Sequence, residues 1–571
     1  MKINKKLWIL MIALVGVVFV GLLTTFLIAE NHKKNEIMGQ LNHTLTISAS
    51  QINDSQSINI DWDVDKTIDT LKIEVYHDGT NVSTIIINDT TTIMKGSYII
   101  DAFYGKHIVR VTSYNSYDKF TCTSTAEKEV SLTADEYIIA PITATMPVTL
   151  FTLSLKEITN NYTIPTFVWF KRSGVWEYSE MPENVDLIPV CKTDDFIHDT
   201  SQNGVYEKTS KWVKELYELN PNSKFNFYYN DYFPHGWMQA TIGNNIPTSN
   251  YKVTLLSDGA GSFFYFNDCF DNDNVDTVYQ EMKAEYETLK TQVNTTGKYT
   301  ANSNDYTINS EELRKYIYIM AKEEANVDWW LTRISGTLAV NNASLYAELE
   351  SLVQEGSIKV KDLKTLLDAF SENEKIELKR LYNFSDTMFE QAKNENKEVM
   401  VFLGTWNQDE AYFNDYVKIL KALYGDDYVY YYKGHPKSPT NSIDGKFENL
   451  DELGIIDIDS TIPAELIFFF NPEIFASGYQ TSTFYSIDAE KSMAVFNIRK
   501  DALAEDYKDN LDCFISKVET TDETYSSLVT SQNCYVIEYN NNVNYDISIY
   551  DMSTQEIVYY KSNGTVYEEV N

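Results

Sequence analysis

KEVMVFLGTW at residues 397–406 is followed by YFNDYVKILKALYG at 412–425 and DYVYYYKGHP at 427–436. A short apolar run, an amphipathic stretch and a second apolar run that breaks into a polar loop read as one β–α–β unit. Such units build parallel sheets, whose ligands lie at the carboxyl ends of the strands. The second run ends unusually. Valine and tyrosines give way at Lys433-Gly434 to His435, Pro436 and Lys437, which sets a titratable ring between two cations. The rest of the chain is acidic, with 47 basic against 83 acidic residues and a formal charge of −36. A site for an anionic ligand must therefore make its own positive potential, and this loop is a candidate for doing so.

The same rhythm lies upstream. IPTFVWF (164–170), VYEKTSKWVKELYEL (205–219), FNFYYND (225–231) and YKVTLLSDG (251–259) alternate strand and helix, each strand ending in a polar loop. The fold class expected is α/β: one Rossmann-like lobe at 160–275, a helical segment at 276–395 and a second Rossmann-like lobe at 396–515. A β-rich tail follows at 516–571. Asn309 with Glu312 and Ser371 with Glu374 have capping-box spacing at helix starts. Trp329-Trp330 is placed in one of the helices of the 276–395 segment, buried. Two α/β lobes joined in this way suggest a cleft enzyme with its site where the two sets of strand ends face each other.

Residues 45–150 read differently. LTISASQI, SINIDWDV, DTLKIEVYHDG and GSYIIDAFYGKHIVRVTSY alternate apolar and polar residues between turn signals, as in an immunoglobulin- or fibronectin-like sandwich. Residues 1–36 are expected to form an uncleaved N-terminal membrane anchor, with a longer apolar core than a cleaved signal peptide carries. No charge occurs from Leu7 to Ala29, which is long enough to span a bilayer. Lys2, Lys5 and Lys6 precede the span and favour a cytoplasmic N-terminus with the catalytic part extracytoplasmic, while Lys33 and Lys34 oppose that orientation. The cysteines lack zinc-ligand spacing, so no metal is expected; in an exported protein Cys513 and Cys534 are candidates for a bridge that the sequence alone does not decide. The negative charge excludes non-specific nucleic-acid binding.

Five segments at strand ends or loops stand out: YYND (228–231), LLSDGAGS (255–262), FLGTW (402–406), YKGHP (432–436) and the IPAEL to TSTFYS stretch (462–486). Singly each has a structural explanation: a turn, a core aromatic, a loop histidine. Together they supply a carboxylate, a histidine flanked by cations, an aromatic platform and hydroxyls at a helix start. Displacement at an anomeric carbon with a phosphate leaving group needs a base on one side and charge neutralisation on the other. Asp258 and His435 meet that need. Paired-carboxylate glycoside hydrolysis leaves the KGHP and TS segments without a role.

In this combination the chain resembles the bacterial sialyltransferases of glycosyltransferase family 80 over roughly residues 160–500. These have a GT-B fold of two Rossmann-like lobes, in some members preceded by an immunoglobulin-like domain. The resemblance implies that Asp258 is the general base toward the acceptor hydroxyl. It implies that His435 faces the donor phosphate as general acid or electrostatic stabiliser. Asn230, Gly259, Lys433, Gly434, Pro436, Glu465, Thr481 and Ser482 are then donor-binding: Asn230 toward the donor sugar, Glu465 on the ribose hydroxyls, Thr481 and Ser482 on the phosphate. Trp406 forms a wall of the acceptor site. The expected partners are CMP-sialic acid, as co-substrate with no further cofactor, and a glycan acceptor. Departures are visible: Ser257 stands where the family's first Asp of Asp-Asp-Gly would be, GTW is shorter than Gly-Thr-Thr-Thr-Trp, and Pro463-Ala464 replaces Ser-Phe before the glutamate. The alternatives are the same fold with another CMP-activated acid sugar, or an inactive surface carbohydrate-binding protein.

Overall fold

The computed structural model describes residues 5–88, 94–170, 176–189, 202–231, 235–258, 275–297, 316–332, 343–404, 424–435, 450–479, 481–487, 491–496, 535–539, 547–551, 556–562 and 567–570, with isolated positions 413, 417, 420 and 421. Two compact units emerge: Met1–Asp135 with Glu215–Ser223, and Glu136–Lys214 with Lys224–Asn571.

The first unit opens with helix α1 (Lys5–Leu41). Among the described residues it is the one helix long and apolar enough to cross a membrane. It runs beyond the expected limit at residue 36, because its last turn is held by the following strands: Leu41 is buried and its carbonyl accepts from the Asn115 amide at 3.2 Å. Strands β1 (Leu45–Gln51), β2 (Ser57–Val64), β3 (Thr70–His77), β4 (Thr80–Ile87), β5 (Lys95–Asp101), β6 (Gly105–Tyr117) and β7 (Phe120–Leu132) follow. They form two antiparallel sheets, β1-β2-β5 and β4-β3-β6-β7. Period-two alternation turns Ile58, Ile60, Trp62 and Val64 of β2, and Leu71, Ile73 and Val75 of β3, inward.

The boundary of this unit differs from the expected 45–150. Strand β8 (Glu136–Ile142) pairs in parallel with β9 (Thr166–Phe170) and β11 (Lys224–Asn230), and so opens the second unit, with helix α2 (Thr145–Ile158) after it. EYIIAPI is buried at nearly every position, as a strand covered on both faces must be, and sequence alternation gives no sign of that. With β10 (Val185–Leu187), β12 (Tyr251–Leu256), β13 (Val327–Leu331) and β14 (Ile358–Val360) these strands make a seven-stranded sheet in the order β10-β9-β8-β11-β12-β13-β14, parallel throughout. Trp329-Trp330 therefore lies in a strand, not a helix. VDWWL is short and buried at every residue, and a buried strand of that length cannot be told from a helix turn by periodicity. The 276–395 segment is correspondingly not wholly helical: it contributes β13 and β14 to the first sheet. The Asn309–Glu312 pair lies outside the described residues, whereas Ser371 and Glu374 do form a capping box at the start of helix α3 (Glu372–Leu381).

The second sheet contains β15 (Glu398–Leu403), β16 (Tyr428–Lys433), β17 (Ile455–Ile458), β18 (Phe475–Tyr479), β19 (Ser492–Phe496), β20 (Tyr535–Tyr539), β21 (Ile547–Asp551), β22 (Glu556–Ser562) and β23 (Tyr567–Val570). Its order is β17-β16-β15-β18-β19-β20-β21-β22-β23. The strands are parallel as far as β20, after which β21 to β23 continue as an antiparallel meander, so the C-terminal tail extends this sheet. Cys513 and Cys534 lie outside the described residues.

Both sheets are doubly wound. In each, three strands are laid down in one direction and the fourth returns beside the first, which puts a switch point between β8 and β11 and another between β15 and β18. Helix α4 (Ala464–Phe470) belongs to both cores. Leu466 packs in a cluster with Ile138, Tyr228, Leu256 and Trp330 of the first sheet. Its neighbours Ile467 and Phe468 pack with Val401, Tyr431 and Ala476 of the second.

Candidate active site

At the first switch point β11 ends on Asn230, followed directly by Asp231, both fully buried. Alternation along FNFYYN sends Tyr228 into the core beside α4, and Asn230 two residues on shares its side of the strand. Neither the Oδ1 nor the Nδ2 of Asn230 meets a hydrogen-bond partner among the described residues. An amide buried in that way costs roughly 1–3 kcal/mol, a penalty that a bound polar ligand removes.

The adjacent strand β12 leads into Ser257 and Asp258. Ser257 is buried, and its N–H donates to the Trp330 carbonyl at 3.0 Å, continuing the ladder one residue past the strand. Asp258 follows, half-buried, with its backbone N–H donating to the Asp231 Oδ1 at 3.2 Å. The sequence reading did not single out Asp231. Its Oδ2 also accepts from the Trp329 indole N–H at 3.1 Å.

In the second sheet β15 is followed by Gly404, whose N–H donates to the Lys433 carbonyl at 2.9 Å, so the ends of β15 and β16 are held level. A Cβ at Gly404 would fall 2.4 Å from the Tyr432 hydroxyl, which explains the glycine there. Beyond β16, Gly434 is buried and His435 half-buried. Lys433 does not project outward to draw anions to the loop. It is 3% exposed, and its Nζ donates to the carbonyls of Gly434 at 2.9 Å and Ser460 at 2.8 Å. Its charge instead acts inward, favouring the ionised form of Glu465 against the larger effect of burial.

Glu465 occupies the first turn of α4, 5% exposed, and accepts from the Thr483 hydroxyl at 2.7 Å. Burial pushes its carboxyl above the usual range, against the opposing effects of Thr483 and Lys433. Its charge reaches Tyr382 of the first core, whose hydroxyl is pushed up to about 12, mainly by burial. Past β18, Thr481 caps a short helical turn, Ser482–Tyr485, without a side-chain capping bond. Its buried hydroxyl has no partner among the described residues.

Asn230, Asp258, His435, Glu465 and Thr481 thus stand at the carboxyl ends of parallel strands or at the start of α4. The switch-point strands β11 and β18 lead to Asn230 and Thr481, two of the buried side chains whose polar atoms lack partners among the described residues; the hydroxyl of Tyr229 in β11 lacks one as well. Gly259, Trp406 and Pro436 lie outside the described residues, as does the side chain of Ser482.

No family model matches the sequence, nor does any curated protein. Among solved structures the chain is similar to a 2,6-sialyltransferase of Photobacterium sp. JT-ISH-224 solved with CMP and lactose, at 13% identity over 84% of this chain and 93% of that one, with a TM-score of 0.47. It is similar to a 2,3-sialyltransferase of Photobacterium phosphoreum, at 14% identity over 64% and 91%, with a TM-score of 0.47. It is also similar to a UDP-GlcNAc 2-epimerase of Neisseria meningitidis, at 10% identity over 69% and 91%, with a TM-score of 0.36.

Proposed function

We propose that the chain is an inverting, metal-independent sialyltransferase that moves sialic acid from CMP-sialic acid to a hydroxyl of an acceptor sugar, with terminal galactose the expected acceptor. The observation that carries this reading is the pair of switch-point strands leading to Asn230 and, past the end of β18, to Thr481, whose buried polar atoms lack partners among the described residues. Buried groups of that kind fit a polar ligand spread across both sheets. The motif set quoted above makes a CMP-sugar the ligand of choice.

In the proposed step the acceptor oxygen attacks the anomeric carbon while Asp258 takes its proton. The bond from that carbon to the phosphate oxygen breaks, and its electron pair leaves with CMP. His435 neutralises the phosphate or protonates it. Glu465 accepts from the ribose hydroxyls, with Thr483 and Lys433 favouring its ionised form against the effect of burial. Asn230 and Thr481 gain their missing partners from the sugar and the phosphate. Trp406, Gly259, Gly434, Pro436 and Ser482 complete the donor and acceptor walls. The same reading takes the antiparallel unit as an immunoglobulin-like spacer and α1 as a single-pass anchor with the catalytic part extracytoplasmic.

The test is the full chain in detergent with CMP-sialic acid, lactose and EDTA. Sialyl-lactose and CMP are the expected products, and Asp258→Ala and His435→Ala each lower the rate by roughly 10²- to 10⁴-fold. Binding of CMP without turnover on any acceptor would favour the carbohydrate-binding alternative. Turnover with a different CMP-activated acid sugar would change the donor and keep the mechanism.

A further inference from the structure

Asp231 is a fully buried carboxylate that the transfer step does not use. It is the first residue beyond β11, and its own N–H donates to the Leu256 carbonyl at 2.9 Å, at the end of β12. Its side chain reaches across the ends of three neighbouring strands. Oδ1 accepts from the backbone N–H of Asp258 at 3.2 Å, just past β12, and Oδ2 accepts from the indole N–H of Trp329 in β13 at 3.1 Å. Burying a carboxylate is costly unless N–H donors satisfy it, and these two meet it from different elements: a backbone N–H just past β12 and the indole of a fully buried ring in β13. Asp231 therefore serves as a rigid bracket rather than a surface charge.

The atom it grips matters. Asp258 is the second residue past β12, where the chain leaves the sheet and the ladder no longer fixes the backbone. A hydrogen bond at its N–H fixes the peptide plane from which its carboxylate projects. Resting on the reading of Asp258 as base, we infer that Asp231 is a positioning residue for that base, with Trp329 as its anchor. It touches neither donor nor acceptor. It sets the direction in which the Asp258 carboxylate meets the acceptor hydroxyl, where misplacement by an ångström costs roughly 100-fold in rate.

The experiment uses the full-length protein in detergent. Asp231→Ala is expected to lower kcat roughly 100-fold and leave KM for CMP-sialic acid within roughly twofold, because the loss falls on geometry at the reacting hydroxyl. Asp231→Asn keeps an acceptor for the Asp258 N–H but turns an amide N–H against the Trp329 indole. It is expected to lose roughly tenfold, and adding Trp329→Phe, which removes the opposing donor, restores most of that. Hydrogen exchange at the Asp258 amide, read on the same proteins, speeds up in Asp231→Ala and in parallel with the loss of kcat. A kcat for Asp231→Ala close to wild type, or unchanged protection of the Asp258 amide, overturns the inference alone. Absence of rescue in Asp231→Asn with Trp329→Phe also counts against it. A wild type that never turns over overturns the transfer reading itself, and the inference with it.

Discussion

Glu465 is the residue at which burial and charge are most directly opposed. Its folded carboxyl lies above the ordinary value of 4.5. A group raised in this way contributes stability below its unfolded value and loses it as pH rises through the folded one. Glu465→Gln is therefore expected to melt higher than wild type at alkaline pH, with the advantage fading as pH falls toward 4.5. The same variant is expected to bind CMP more weakly, a stability–function trade that a melting series and calorimetric titration measure together. Asn230→Leu follows a similar logic: replacing a partnerless buried amide by an apolar group of similar size leaves the apo protein as stable or more so, and weakens donor binding. Gly478 is constrained by backbone. Its φ is +111° and an added Cβ would lie 2.4 Å from the Leu403 carbonyl, so Gly478→Ala is expected to cost roughly 1–3 kcal/mol by denaturant titration. Most site residues were legible as polar residues following apolar runs. Asp231 was not, because its meaning depends on Trp329, 98 residues away. Nor was the inward turn of Lys433, which needs the Ser460 carbonyl as partner.

At the scale of elements, α3 shows local sequence and long-range contact agreeing. Ser371 and Glu374 exchange the two bonds of a capping box, and Glu374 also pairs with Lys156 of α2. Lys156 first, then the Ser371 N–H and hydroxyl, hold the Glu374 carboxyl down at about 2. A depressed carboxylate stabilises the fold above its unfolded value and ceases to do so as pH falls through the folded one. Glu374→Gln should therefore be less stable than wild type at pH 7, with the difference narrowing between 4.5 and about 2 in urea melts. Ser371→Ala, losing only the cap, should cost about 1 kcal/mol. This helix start was readable because a capping box spans four residues. The strand at Trp329-Trp330 was not, since a buried pentamer takes its identity from β12 and β14 on either side.

For the whole molecule, the two sheets were legible from the repeated alternation of apolar runs and amphipathic stretches, but their edges were not. β8 lies in the interior of the first sheet although its sequence adjoins the antiparallel unit, and β20 to β23 are joined to the second by pairing that no local pattern encodes. Nothing in AELIFFF says that adjacent residues of α4 serve different cores. That division has a thermodynamic consequence. Pulling the lobes apart strips either Leu466 or the Ile467-Phe468 pair of its packing, so neither lobe has a complete interior alone. Scanning calorimetry should accordingly show the two Rossmann-like lobes melting in one endotherm. Leu466→Ala, a cavity mutation costing roughly 2–5 kcal/mol, should lower that single transition rather than split it. Seven residues of helix thus make two sheets a single cooperative folding unit.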